Sequence, residues 1–147
     1  MPAANRSAVR EAVVQTAFEC DFRAAPDSRA DFLAKNLAEL DEPSLDIEFG
    51  ERLLAATFAH QAESIDLLTQ YAPDWSYEKI ARLDRAILLV GLAELCFLPD
   101  EKIPPAVTLN EFVEIAKNYG GDPSRRFING VLSAVKKARE SEAAGSK

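Results

Sequence analysis

Two adjacent arginines carry the most suggestive chemistry in this chain. Asp122-Pro123 reads as an N-cap followed by proline at the first helical position, which places Arg125 and Arg126 in the first turn of a helix. Positive charge there opposes the helix dipole, at a cost of roughly a few tenths of a kcal/mol per residue. A sequence that only needed a stable helix would put acids in that turn. A bound anion reverses the balance, because free backbone N–H groups and two guanidinium groups then converge on it. A second pair, Arg6 and Arg10, stands one helical turn apart, so both side chains leave one face of the first helix. On the charges alone, the bland alternative of ordinary solvated arginines is the favoured reading.

The balance of charge sharpens the question. The chain of 147 residues carries a net charge of −7, which argues against nonspecific nucleic-acid binding by the molecule as a whole. Residues 27–66 hold ten Asp/Glu against three Lys/Arg, whereas residues 117–139 hold six Lys/Arg against Asp122 alone. The molecule is therefore charge-polarised along its sequence.

Other chemistries find little support. There is no Gly-rich phosphate loop, no nucleophile elbow and no Cys–His pair. His60 stands without cysteine neighbours and cannot build a zinc cluster. Cys20 and Cys96 fall in apolar helical patterns and read as buried free thiols. Asp41-Glu42 and Asp100-Glu101 lie beside prolines in polar stretches and read as solvated loop charges. The expectation is a protein that is not an enzyme and needs no cofactor or metal. No apolar run approaches the ~18 residues of a membrane span, and the N-terminus lacks a signal-peptide core. A cytoplasmic protein is expected.

The elements that must position the arginines all show helical period. Residues 6–23 set Val9, Val13, Ala17 and Cys20 on one stripe. Asp27 or Ser28 can cap a second helix carrying Leu33 and Leu37, and Asp46 a third with Ile47, Leu54 and Phe58 on one face. Gly50, early in that third helix, suits close helix packing. A fourth helix fits 61–71, and residues 76–97 form the most apolar one. Thr108-Leu-Asn-Glu111 fits a capping box for a helix that stops at Gly120-Gly121. The last helix follows Asp122. Asn129-Gly130 inside it is a strong hairpin signal, but the flanks repeat at three and four residues, so a helix is expected. Glycine there costs about 1 kcal/mol against alanine, and packing against a neighbouring backbone is the reason anticipated. The chain reads as all-α, about seven helices in a single domain over residues 1–140, with 141–147 expected to be a disordered tail.

One segment is similar to a known family. IPPAVTLNEFVEIAKNYGGDPSRRFINGVL, residues 103–132, resembles the C-terminal signature of the NusB family of bacterial transcription antitermination factors. The matching positions are Pro105, Val107, Asn110, Glu111, Ala116, Lys117, Tyr119, Gly120, Phe127, Asn129, Gly130, Val131 and Leu132. LDRAILLVGLAEL, residues 83–95, resembles the family's central helix, and SAVREAVVQTAFECDF, residues 7–22, its first. Residues 24–74 match mainly in length and helical pattern.

The resemblance implies a NusB-like fold of two packed helical bundles and a non-enzymatic role. It implies pairing with the ribosomal protein NusE, binding of the boxA segment of nascent RNA, and indirect association with other Nus factors and RNA polymerase in antitermination on ribosomal RNA operons. Carried onto this chain, the RNA-binding positions are Arg6, Arg10, Lys117, Asp122, Ser124, Arg125, Arg126 and Phe127. The NusE face is expected to involve the central helix, with Asp84 and Arg85 as the chosen positions. Ser7 and Ala8 separate Arg6 from Arg10 where some members have a denser arginine run, so fewer phosphates would be neutralised. Phe127 could stack on a base or open the apolar stripe of its helix; Asn129 and Gly130 are assigned to packing. Two alternatives stay open at this point. One is a homo-oligomeric helical module, including a homodimer. The other is a NusB-like domain serving another RNA-processing machine, such as the domain that precedes some ribosomal RNA methyltransferases; the chain ends 15 residues after Leu132, which disfavours it.

Overall fold

The computed structural model describes residues 5–23, 28–74, 76–98 and 102–145. Among them lie six helices: α1 (Ser7–Arg23), α2 (Arg29–Ala38), α3 (Ile47–Ala59), α4 (Gln61–Tyr71), α5 (Arg82–Cys96) and α6 (Pro105–Gly145). A 3-10 turn, Tyr77–Lys79, precedes α5. Gly121 interrupts α6 with φ 73° and ψ −164°. This backbone region is open essentially to glycine alone. Counting its two halves separately gives the seven helices anticipated.

Helices α1 and α5 form the centre. The first packs on α2 and α3, the second on α3, α4 and α6, and the two pack on each other. The stripe of α1 is buried as its period demands, with Val9 and Val13 fully covered. Residues Ala86 to Glu94 of α5 are buried on every side, as a helix apolar all round must be. Gly50 justifies its missing side chain, since a Cβ there would stand 2.8 Å from Val9 Cγ1. Cys20 is buried, Cys96 half-buried, and both are free thiols. No helix among the described residues is long and apolar enough to cross a membrane.

Several boundaries differ from the sequence reading. The central helix starts at Arg82, not at residue 76, because Ser76, Ile80 and Ala81 take extended backbone angles around the 3-10 turn. Ile80 is buried either way, so its apolar period could not separate the two geometries. Helix α6 starts at Pro105, ahead of the Thr108 cap. Proline is pre-set for a first helical position, and the Pro104 carbonyl accepts the N–H of Val107 at 2.9 Å. Ser28 holds the N-cap position of α2 without a side-chain hydrogen bond, and Asp27 lies outside the described residues, as do Asp100 and Glu101. Asp46 does cap α3, accepting from Phe49 N at 3.2 Å. Ile47, Leu54 and Phe58 do share one face, lining a groove beside α2, although Ile47 is 51% exposed there. The last helix continues to Gly145, past the expected frayed end at 140. Its alanines and the Lys136–Glu140 pair, 2.7 Å apart, favour helix there.

Candidate functional site

The start of α1 is clamped before it reaches any ligand. Asn5 N donates to Ser44 O at 2.7 Å, Asp46 N donates to Asn5 O at 3.1 Å, and the Asn5 side chain accepts from Ala8 N at 3.1 Å. Arg6 is thereby set beside Asp46. Its Nε donates to Asp46 Oδ2 at 3.0 Å and its guanidinium lies 4.3 Å from the Phe49 ring centroid. The Arg6 side chain remains 31% exposed. Burial pushes the Asp46 carboxyl up, but the Arg6 hydrogen bond, the Phe49 N–H and the charges of Arg6 and Arg52 together hold it below the usual aspartate value. One carboxylate thus caps α3 and steers an arginine.

Arg10 is not on that surface. Its side chain is 4% exposed and it grips Glu94 through two bonds, Nε to Oε1 at 2.6 Å and Nη2 to Oε2 at 3.1 Å. Nη1 donates to Glu111 Oε1 at 3.2 Å. Thr108 Oγ1 donates to Glu94 Oε2 at 2.5 Å, and Ser7 Oγ to Glu111 Oε1 at 2.6 Å. This corrects the expectation that Arg10 joins Arg6 in an anion-binding pair. It also replaces the capping box, because Thr108 and Glu111 turn to other helices instead of to each other. Exposure separates the two arginines: Arg10 leans into the interface with α5, where a carboxylate waits. The sequence did hold a signal for this network. Glu94 is the one charge in the stretch from Ala86 to Glu94, and a buried carboxylate requires a cation.

The second basic region surrounds the break at Gly121. Lys117 and Arg126 are exposed on either side of it. Arg125 is 36% exposed and pairs with Asp122, Nε to Oδ1 at 3.4 Å. Ser124 is half-buried and lies beside Asp84 in one hollow. Burial pushes the Asp84 carboxyl up, while the Ser124 hydroxyl opposes the rise. Phe127 is half-buried, packs against the core and lines a hollow with Pro123, Ser124 and Asp84. Two residues expected to serve different ligands, Asp84 and Ser124, therefore line one hollow. Arg85 turns the other way. Its side chain is 13% exposed, 3.9 Å from Asp21 Oδ2 and 5.0 Å from the Tyr77 ring centroid, so it ties α5 to α1.

The two regions share a support. Glu111 touches Ser7 near the start of α1, and Gly121 lies ten residues further along α6, about 15 Å at the helical rise. Asn129 and Gly130 are exposed, and a Cβ on Gly130 would meet nothing within 4 Å. The packing role assigned to that glycine is therefore wrong. Asn129 Oδ1 accepts a local bond, from Ser133 Oγ at 3.3 Å. Sequence pattern placed both residues on a helix but could not say which face was free.

Comparison with known proteins places this arrangement. The model of the NusB family matches residues 7–137. The transcription antitermination protein NusB of Dehalococcoides mccartyi strain CBDB1 is 36% identical over 134 residues, covering 91% of each chain. The solved structure of T. maritima NusB superposes with a TM-score of 0.78 at 30% identity, covering 92% of this chain and 93% of that one. A chain from the complex of antitermination factors NusB and NusE with double-stranded RNA shares the fold, with a TM-score of 0.78 at 24% identity, covering 90% and 96%.

Proposed function

Because the chain belongs to the NusB family of transcription antitermination proteins, we propose that it binds a boxA-type segment of nascent RNA together with NusE and supports ribosomal RNA transcription. In this reading the protein acts in the cytoplasm as an assembly factor without catalysis, and meets other Nus factors and RNA polymerase through that assembly. The observation that carries the reading is that the exposed Lys117 and Arg126 and the partly exposed Arg125 flank the break in α6, in a chain of net charge −7. Basic residues concentrated on one surface of an acidic protein give local phosphate affinity without general stickiness. The solved complex of a similar fold with NusE and double-stranded RNA supports the choice of ligands.

Roles follow from placement. Arg6, Lys117, Arg125 and Arg126 meet phosphates. Asp122 and Ser124 hold the geometry of the break, and the half-buried Phe127 offers a ring edge beside it. Arg10 acts as a positioning residue, fixing the start of α1 against α6. Asn129 and Gly130 join the RNA surface, since a helix face without a side chain lets a backbone approach. NusE docks by the start of α5 near Asp84.

The test is fluorescence anisotropy of a labelled boxA RNA, with and without NusE, against a scrambled RNA of equal length. Tight sequence-dependent binding that strengthens with NusE is expected. Changing Arg125 and Arg126 to alanine should weaken binding and lower the slope of log K against log salt by about one to two. An unchanged affinity and slope would remove those residues from the site. Equal weak binding to both RNAs would remove boxA from the function.

A further inference from the structure

A cavity of about 290 Å³ lies where the ends of α1 and α3 meet the starts of α2, α4 and α5. Ala86 and Leu89 of α5 form a buried apolar floor, and Phe58 of α3 stands beside it, half-buried. Two arginines from different helices line the same space, Arg29 at the first position of α2 and Arg85 in the first turn of α5.

Both guanidinium groups are held mainly by rings. Arg29 lies 3.7 Å from the Phe58 ring centroid, and Arg85 lies 5.0 Å from that of Tyr77. A ring face attracts the charge but leaves the in-plane N–H groups to other acceptors. Asp21 Oδ2 stands 3.9 Å from Arg85 Nη2, beyond hydrogen-bond reach. Among the described residues four buried side-chain polar atoms have no hydrogen-bond partner, and the two that belong to charged groups are Arg29 Nε and Arg85 Nε. A buried donor left unmet costs stability. Two such donors, from separate helices, in the lining of one cavity suit the oxygens of a ligand and serve no need of the fold.

Charge and shape select the ligand. The charged side chains in the lining are two cations, Arg29 and Arg85, against one anion, Asp21. The Asp21 side chain is 38% exposed, so water screens its repulsion, whereas the Arg85 side chain is 13% exposed. Gln61, the first residue of α4, lines the cavity, so the positive end of that helix adds to the field. Donors converging from separate helices suit the tetrahedral oxygens of a phosphate, whereas a single guanidinium satisfies the planar fork of a carboxylate. The volume is at the small end for ligand pockets. It admits a short carbon chain on the apolar floor and has no room for a nucleoside.

We propose that this cavity binds a small phosphate monoester, its oxygens on Arg29 and Arg85 and its carbon chain on Leu89 and Phe58. The site is separate from the basic surface around Gly121 and takes a free small molecule, not RNA.

The test follows the arginine Nε–H signals of the full chain by NMR during titration with propyl phosphate, inorganic phosphate and butyrate at constant ionic strength. Saturable shifts of the Arg29 and Arg85 signals are expected with propyl phosphate, at a Kd below about 1 mM, with butyrate about tenfold weaker. Arg29→Lys and Arg85→Lys should each weaken binding about tenfold, because a point charge does not replace the lost Nε–H. Changing Arg125 and Arg126 to alanine should leave it unchanged. The proposal is overturned if the two signals do not move, or move without saturating. It is equally overturned if butyrate or inorganic phosphate binds as tightly as propyl phosphate, or if the Arg125 and Arg126 change removes the binding. Should circular dichroism show that a lysine variant unfolds, the wild-type signals, assigned through bonds, decide alone.

Discussion

Arg6 and Arg10 stand one turn apart and do different work. Arg6, 31% exposed, stays within reach of solvent while Asp46 holds its direction. Arg10, 4% exposed, neutralises carboxylates that α5 and α6 bring inside. Removing Arg10 leaves Glu94 buried without its cation, so Arg10→Ala should lower stability by about 3–5 kcal/mol in urea denaturation. Arg10→Lys should restore only part of this, because a point charge cannot reproduce the two-pronged grip on Glu94. Arg6→Ala should cost less than about 1 kcal/mol while weakening RNA binding; a stability loss equal to that of Arg10→Ala would contradict the division of roles. Asp46 adds a pH dependence. Its carboxyl titrates below the unfolded value, so its contribution is complete above the ordinary aspartate range and disappears as pH falls through the folded value. Asp46→Ala should therefore cost about 1 kcal/mol at neutral pH, and the difference from wild type should vanish in acid, as thermal melts across pH would show.

At the scale of elements, α6 decides how the basic residues are displayed. Gly120-Gly121 and Asp122-Pro123 marked its interruption in the sequence, and Gly121 indeed takes the backbone angles that only glycine tolerates. Gly121→Ala should cost about 1–3 kcal/mol and should disturb the hollow that Ser124 and Asp84 line; a neutral effect on the melting temperature would mean the break relaxes. Gly130 is the opposite case. It lies in open space on an exposed helical face, so Gly130→Ala should stabilise the fold by about 1 kcal/mol. If the glycine serves RNA approach, the same change should weaken boxA binding, and unchanged affinity would withdraw Gly130 from that surface. The helices themselves were legible because their apolar periods are long. Their first turns were less so: Pro105 outcompeted Thr108 as the start of α6 once the Thr108 hydroxyl had a buried carboxylate to bond.

At the scale of the whole molecule, charge is polarised along the chain, six Lys/Arg against one Asp in residues 117–139 and ten Asp/Glu against three Lys/Arg in residues 27–66, and in the proposed reading the first of these segments meets RNA. Residue types and spacing alone determined the all-helical class, most helix positions and the glycine break in α6, because hydrophobic period, caps and breakers are local properties; the family came from the resemblance of whole segments to a known signature. Residue types also located the basic cluster around Arg125 and Arg126, since charge is countable along a chain. Only the tertiary structure decided which arginine reaches solvent, that Glu94 draws Arg10 inward, that Arg85 is tied to Asp21, and that Ile47 and Gly130 stay exposed. Those outcomes depend on how one helix is rotated against another. A rotation of a few tens of degrees exchanges a buried ion pair for a free guanidinium, and the period of a single helix does not report the helix it will meet.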